Sequence, residues 1–95
     1  MHVEAVSLAL RAHASPEKAK NSARFFKTGP GQYGEGDAFL GVTVPEQRKV
    51  AQKFYKDLSL RDLELLLKSP WHEERLTALI CMVRQFRKAR PIYQA

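Results

Sequence analysis

Leu76-Thr77-Ala78-Leu79-Ile80-Cys81-Met82-Val83-Arg84-Gln85-Phe86 decides the fold. Leu76, Leu79, Ile80, Val83 and Phe86 recur at spacings of three and four, the period of one helix face. Ala78, Cys81 and Met82 carry apolar surface around the far side. A terminal helix resting on one neighbour needs only the first set. The spacing therefore predicts a helix that buries its Leu76–Phe86 stripe in this chain and offers its far side to something else. Ser69-Pro70 supplies a start signal, and Pro91 discourages continuation beyond about Arg90. Only Pro91-Ile92-Tyr93-Gln94-Ala95 follows, which is too short to cover a second face. In stacked helical repeats each unit buries its face against the next, so the chain is expected to stop partway along such a stack. Self-association through this fifth helix is the alternative use of the same surface.

Upstream, other start signals divide the chain. Ser59 can cap a short fourth helix whose Leu60, Leu63, Leu66 and Leu67 share a face. Thr43 and Glu46 have capping-box spacing with Pro45 in the first turn, predicting a third helix to about Tyr55. Val50, Ala51 and Phe54 would be its buried residues. Ser15-Pro16 opens a second helix reaching about Lys27, with Ala19, Ala23 and Phe26 on one face. Val3, Val6 and Leu10 place a first helix from about Val3 to Ala14. Between the second and third helices, Gly29, Gly31, Gly34, Gly36 and Gly41 forbid stable helix and mark a long loop. No segment alternates usefully with period two. The expected fold is all-α: antiparallel helix pairs, a HEAT-like superhelix fragment of about five helices, one domain over residues 1–95.

A chain of 95 residues suffices for one domain, and 44% hydrophobic with 27% charged residues is ordinary for a globular one. The formal net charge of +6 favours polyanionic partners without choosing among them. Met1-His2-Val3-Glu4 lacks the basic start of a signal peptide, and no apolar run approaches the ~18 residues that span a bilayer. The lone Cys81 allows no internal disulfide. A cytoplasmic protein without a membrane partner is the expectation.

Most residues that suggest chemistry have plainer explanations. Gly29-Pro30-Gly31-Gln32-Tyr33-Gly34 matches G-x-G-x-x-G, but a helix precedes it, and Glu35 and Asp37 follow, so a structured loop is expected rather than a phosphate cradle. His2, His13 and His72 lack ligand spacing with Cys81 or each other, so neither metal nor cofactor is expected. His72-Glu73-Glu74 reads as a solvated first turn, where acids suit the helix N-terminus. Cys81 reads as buried packing, and Trp71 as packing rather than a base-stacking platform. Lys49, Lys53 and Lys56 lie on the solvated face of the third helix, and Arg84, Arg87, Lys88 and Arg90 suit the fifth helix's C-terminal dipole. Thr43 caps a helix end whose free N–H groups favour anions, with Arg48 one turn further on. This pair is the candidate phosphate contact.

Phe25-Phe26-Lys27-Thr28-Gly29-Pro30-Gly31-Gln32-Tyr33-Gly34-Glu35-Gly36-Asp37 leads into Phe39-Leu40-Gly41-Val42-Thr43-Val44-Pro45-Glu46-Gln47-Arg48, and then comes Leu66-Leu67-Lys68-Ser69-Pro70-Trp71-His72-Glu73-Glu74-Arg75-Leu76. Together these segments resemble the DNA alkylation repair family, the HEAT-like-repeat alkylpurine DNA glycosylases. The resemblance covers nearly all of the chain. It implies a curved stack of helix pairs whose basic concave face holds duplex DNA containing alkylated purines. It also implies hydrolysis of the N-glycosidic bond of N3- and N7-alkylated purines, with a carboxylate stabilising the cationic sugar. By the same resemblance Thr43 and Arg48 contact the DNA backbone, and Phe25 stands near the cleft.

The family's catalytic Asp, in a Trp/Asp-rich segment, and its catalytic Arg fall after the equivalent of Ala95. No Trp-Asp pair occurs in this sequence, and Asp37, Asp57 and Asp62 stand in other contexts. The expectation is the amino-terminal segment of such a glycosylase, shortened before its catalytic residues and inactive alone. The alternatives are a non-catalytic nucleic-acid-binding module and a helical-repeat scaffold for protein partners.

Overall fold

Among the described residues five α-helices form, close to the expected positions: α1 (His2–Arg11), α2 (Pro16–Phe25), α3 (Val44–Phe54), α4 (Leu60–Leu67) and α5 (His72–Ala89). The structure is a computed structural model that describes residues 2–26, 28, 29, 31 and 34–89. Part of the G-x-G-x-x-G string, the end of the fifth helix near Arg90 and the tail from Pro91 to Ala95 lie outside the described residues. Among the described residues the only β-type feature is one bridge between Ala38 and Trp71. The chain is all-α, with helices packed as in a fragment of a helical superhelix.

Three caps act as their spacing predicts. The Ser15 hydroxyl accepts from the Lys18 N–H, with Pro16 in the first turn of α2. Thr43 and Glu46 close a capping box on α3, and Ser59 with Asp62 closes another on α4. Each such cap stabilises its helix by about 1 kcal/mol. Ser69 behaves differently. Its hydroxyl accepts from the Trp71 N–H and donates to Glu74 Oε1 at 2.7 Å, while α5 begins at His72. Ser69-Pro70 shapes the turn before the helix and does not cap it.

The core joins Val6 and Leu10 of α1, Val50 and Ala51 of α3, and Leu63 and Leu66 of α4. Leu40, Val42 and Leu58 enter from the connecting segments, and Ala78 and Cys81 close it from α5. Helix α5 packs mainly on α3 and α4, while α1 touches all three. Phe54 is only partly buried, and Leu60 is exposed beside its buried neighbours on α4. Leu60 opens the first turn, ahead of the part of α4 that meets the core. Helix α2 has no buried residue. It is held at its start, where the Ser15 N–H donates to the carbonyls of Leu40 and Gly41.

The orientation of α5 reverses the expectation. Its covered face consists of Glu73, Glu74, Thr77, Ala78 and Cys81. Leu79 and Val83 are each 48% exposed, and Phe86 is 69% exposed. Leu76 and Ile80 are only partly covered. The bulky stripe faces outward because small side chains on the covered face let the other helices approach closely. The carboxylates there are also held by specific bonds.

Glu73 and Glu74 are accordingly not a solvated first turn. Glu73 is 1% exposed. Its Oε1 accepts from the Leu40 N–H at 2.8 Å, and its Oε2 from those of Gly41 and Val42 at 2.8 and 3.2 Å. A loop crossing the core must find acceptors for its backbone N–H groups, and one carboxylate provides for three of them. Gly41 has φ +82°, and a Cβ there would meet the Ser15 carbonyl oxygen at 1.9 Å. Glu74 ties α1 to α5: Oε2 accepts from the Ser7 hydroxyl at 2.7 Å and faces Arg11 Nη2 at 3.7 Å.

Candidate nucleic-acid interface

The open face of α5 carries His72, Leu76, Leu79, Val83 and Phe86, within about 40° either side of one helical line at 100° per residue. Its two ends have different chemistry. At the N-terminal end, Phe26 and Phe39 stack with ring centroids 5.4 Å apart, and His72 lies 4.9 and 4.7 Å from them. Phe25 meets Phe26 edge-on at 5.1 Å and is 78% exposed. Phe26 thus belongs to an aromatic group joining α2, the loop and α5, beyond the face it was expected to share with Ala19 and Ala23.

Asp37 anchors that group. His72 Nδ1 lies 3.0 Å from Asp37 Oδ2, and Arg75 Nη2 donates to the other carboxylate oxygen. Partial burial alone would raise the Asp37 pKa, but the hydrogen bonds and charges of Arg75 and His72 outweigh it and hold the carboxyl below its usual range. The acid that argued against a pyrophosphate is therefore an ion-pair partner joining the glycine loop to α5.

Toward the C-terminal end, the apolar stripe forms the floor of an open groove of about 640 Å³. Arg48 of α3 stands on one bank, and Arg84, Arg87 and Lys88 of α5 line the same groove. The Arg84 guanidinium lies 5.9 Å from the centroid of the Tyr55 ring. Sequence reasoning assigned the α5 cations to the helix dipole and missed that α3 brings Arg48 alongside them. Their i, i+3 and i, i+4 spacing places the α5 cations on one flank of that helix, but it holds no sign of Arg48.

Thr43 does not line this groove. Its N–H and its hydroxyl both donate to Glu46 Oε1 at 2.9 Å, and its hydroxyl oxygen accepts from the Glu46 N–H at 3.3 Å. The backbone N–H of Thr43, then its hydroxyl, lower the Glu46 pKa. His13 Nδ1 and Lys18 Nζ stand 3.1 and 3.8 Å from the Glu46 carboxylate. A carboxylate of the chain itself thus occupies the start of α3. Arg48 is exposed on the same helix.

The remaining candidates are structural. Trp71 packs against the core beneath the Arg11 guanidinium, 5.4 Å from the ring centroid. Cys81 is fully buried, and burial pushes its thiol pKa up to about 11. Among the described residues no group of three or more His, Cys, Asp and Glu side chains could hold a metal ion. No helix among them is long and apolar enough to cross a membrane.

Fold and surface together define a helical scaffold with one long face, aromatic at one end and cationic at the other. The sequence matches the family described as DNA alkylation repair enzyme over residues 6–94. The chain belongs to that family. No curated protein matches it.

Proposed function

We propose that this chain grips duplex DNA for the repair of N3- and N7-alkylated purines, with Arg48 as its principal backbone contact. The family match over residues 6–94 carries this reading. The net charge of +6 and the row of Arg48, Arg84 and Arg87 along one groove support it, because phosphate contacts dominate affinity for duplex DNA. Phe25, exposed beside Phe26, is available to a cationic alkylated base through attraction between its π-face and the positive charge. Thr43 joins the contact set when a phosphate displaces the Glu46 carboxylate, with Lys18 and His13 already beside that position.

In the proposed repair reaction water adds at C1′ of the sugar, the N-glycosidic bond breaks and the alkylated purine leaves. A carboxylate facing the sugar would stabilise the positive charge that develops there. Three acids of this chain are committed elsewhere: Asp37 to Arg75 and His72, Glu73 to three N–H groups, Glu74 to two hydroxyls. Binding without base release is therefore proposed for this chain alone. Incubation with duplex DNA containing 7-methylguanine tests both halves. The expected result is a salt-sensitive complex with no free 7-methylguanine in the supernatant. Free base would overturn the claim of inactivity, and no complex at low salt would overturn the DNA reading.

A further inference from the structure

We propose that His72, tethered by Asp37, is a positioning residue for Phe25 and sets the direction in which that ring meets an alkylated base. This deepens the functional reading above and rests on its assignment of Phe25. Phe25 closes a helix that has no buried residue, so burial does not fix where its ring points. The ring meets Phe26 edge-on, with centroids 5.1 Å apart and planes at 80°. Aromatic pairs have preferred geometries, so the direction of Phe25 follows that of Phe26. Phe26 in turn rests on two rings, Phe39 at 5.4 Å and His72 at 4.9 Å, which are 4.7 Å from each other.

Both supporting rings are fixed from beneath. The residues on either side of Phe39 are bonded to the start of α5. The Ala38 carbonyl accepts from the His72 N–H at 2.8 Å, and the Leu40 N–H donates to Glu73 Oε1 at 2.8 Å. The His72 ring is oriented by Asp37, whose Oδ2 lies 3.0 Å from Nδ1. An ionised carboxylate only accepts, so Nδ1 carries the hydrogen. Arg75 holds Asp37 through Nη2, while its Nη1 donates to the Ser69 carbonyl at 2.9 Å. The line of support runs from Arg75 through Asp37, His72 and Phe26 to Phe25, and every link is a directional contact. A ring already held in direction loses less freedom when it meets a base. His72 thereby raises preference for the lesion without touching it.

Two measurements on the full chain separate this positioning from the base contact itself. Without DNA, aromatic carbon-13 relaxation should show an ordered Phe25 ring in the native chain. The ring should be markedly more mobile in His72→Ala and in Asp37→Asn, at temperatures where thermal melts show each variant folded. With DNA, fluorescence anisotropy compares a duplex carrying one 7-methylguanine with the same duplex unmodified. The ratio of the two affinities cancels any general change in DNA binding. Phe25→Ala should lower that ratio about two- to fivefold. His72→Ala should lower it by a similar factor, and by nothing further in a chain that already carries Phe25→Ala. A Phe25 ring equally mobile in the native chain and both variants would overturn the proposal. So would losses from His72→Ala and Phe25→Ala that simply add. A ring that His72→Ala loosens, in a chain whose native form shows no preference for the lesion, would uphold the positioning and overturn the base contact assigned to Phe25.

Discussion

Glu73 is 1% exposed, and its charge is tolerated because three amide N–H groups converge on it. Replacement by glutamine leaves one acceptor oxygen and turns an NH₂ toward backbone donors. Glu73→Gln should therefore lower unfolding stability by about 2 kcal/mol, measured by urea denaturation. Gly41→Ala should cost at least about 2 kcal/mol, since the new Cβ would both collide with Ser15 and hold a strained φ. Asp37 acts through its ionised form. Its folded pKa lies below the ordinary 3.8, so its contribution is complete above that value and is lost as pH falls through the lower folded pKa. Asp37→Asn should flatten that part of the stability profile below about pH 4, read from thermal melts across pH. Capping acids Glu46 and Asp62 are depressed as well, chiefly by backbone N–H bonds, so acid sensitivity is diminished and not abolished.

At the scale of the element, α5 has two faces, and the periodicity of Leu76, Leu79, Ile80 and Val83 defines them without saying which is covered. Side-chain size pointed to the bulky stripe. Close approach by α1, α3 and α4 instead selects Thr77, Ala78 and Cys81. The caps were legible because Ser15, Thr43 and Ser59 act within three residues of themselves. Glu73 and Glu74 were not legible, because their partners, Ser69 apart, lie about 30 to 70 residues away in sequence. The glycine loop held a clue, since its backbone N–H groups needed acceptors. Thr77 is fully buried, and its hydroxyl has no hydrogen-bond partner among the described residues. Thr77→Val keeps the shape and removes that group, so it should raise stability by about 1 kcal/mol in the same denaturation experiment.

At the scale of the whole molecule, five helices bring together what the sequence separates. Arg48 comes to lie beside Arg84 and Arg87, and Phe26 and Phe39 meet His72. Arg48 could be singled out from its place one turn into α3 and from the family resemblance, but its companions on α5 could not, since that required knowing how the two helices pack. The binding constant for unmodified duplex DNA, measured from about 50 to 200 mM salt, tests the central claim most directly. Its logarithm should fall linearly with the logarithm of salt concentration, by about 0.9 for each phosphate neutralised, and Arg48→Ala should remove close to one such increment. A binding constant that ignores salt, or a slope unchanged by Arg48→Ala, would contradict the account.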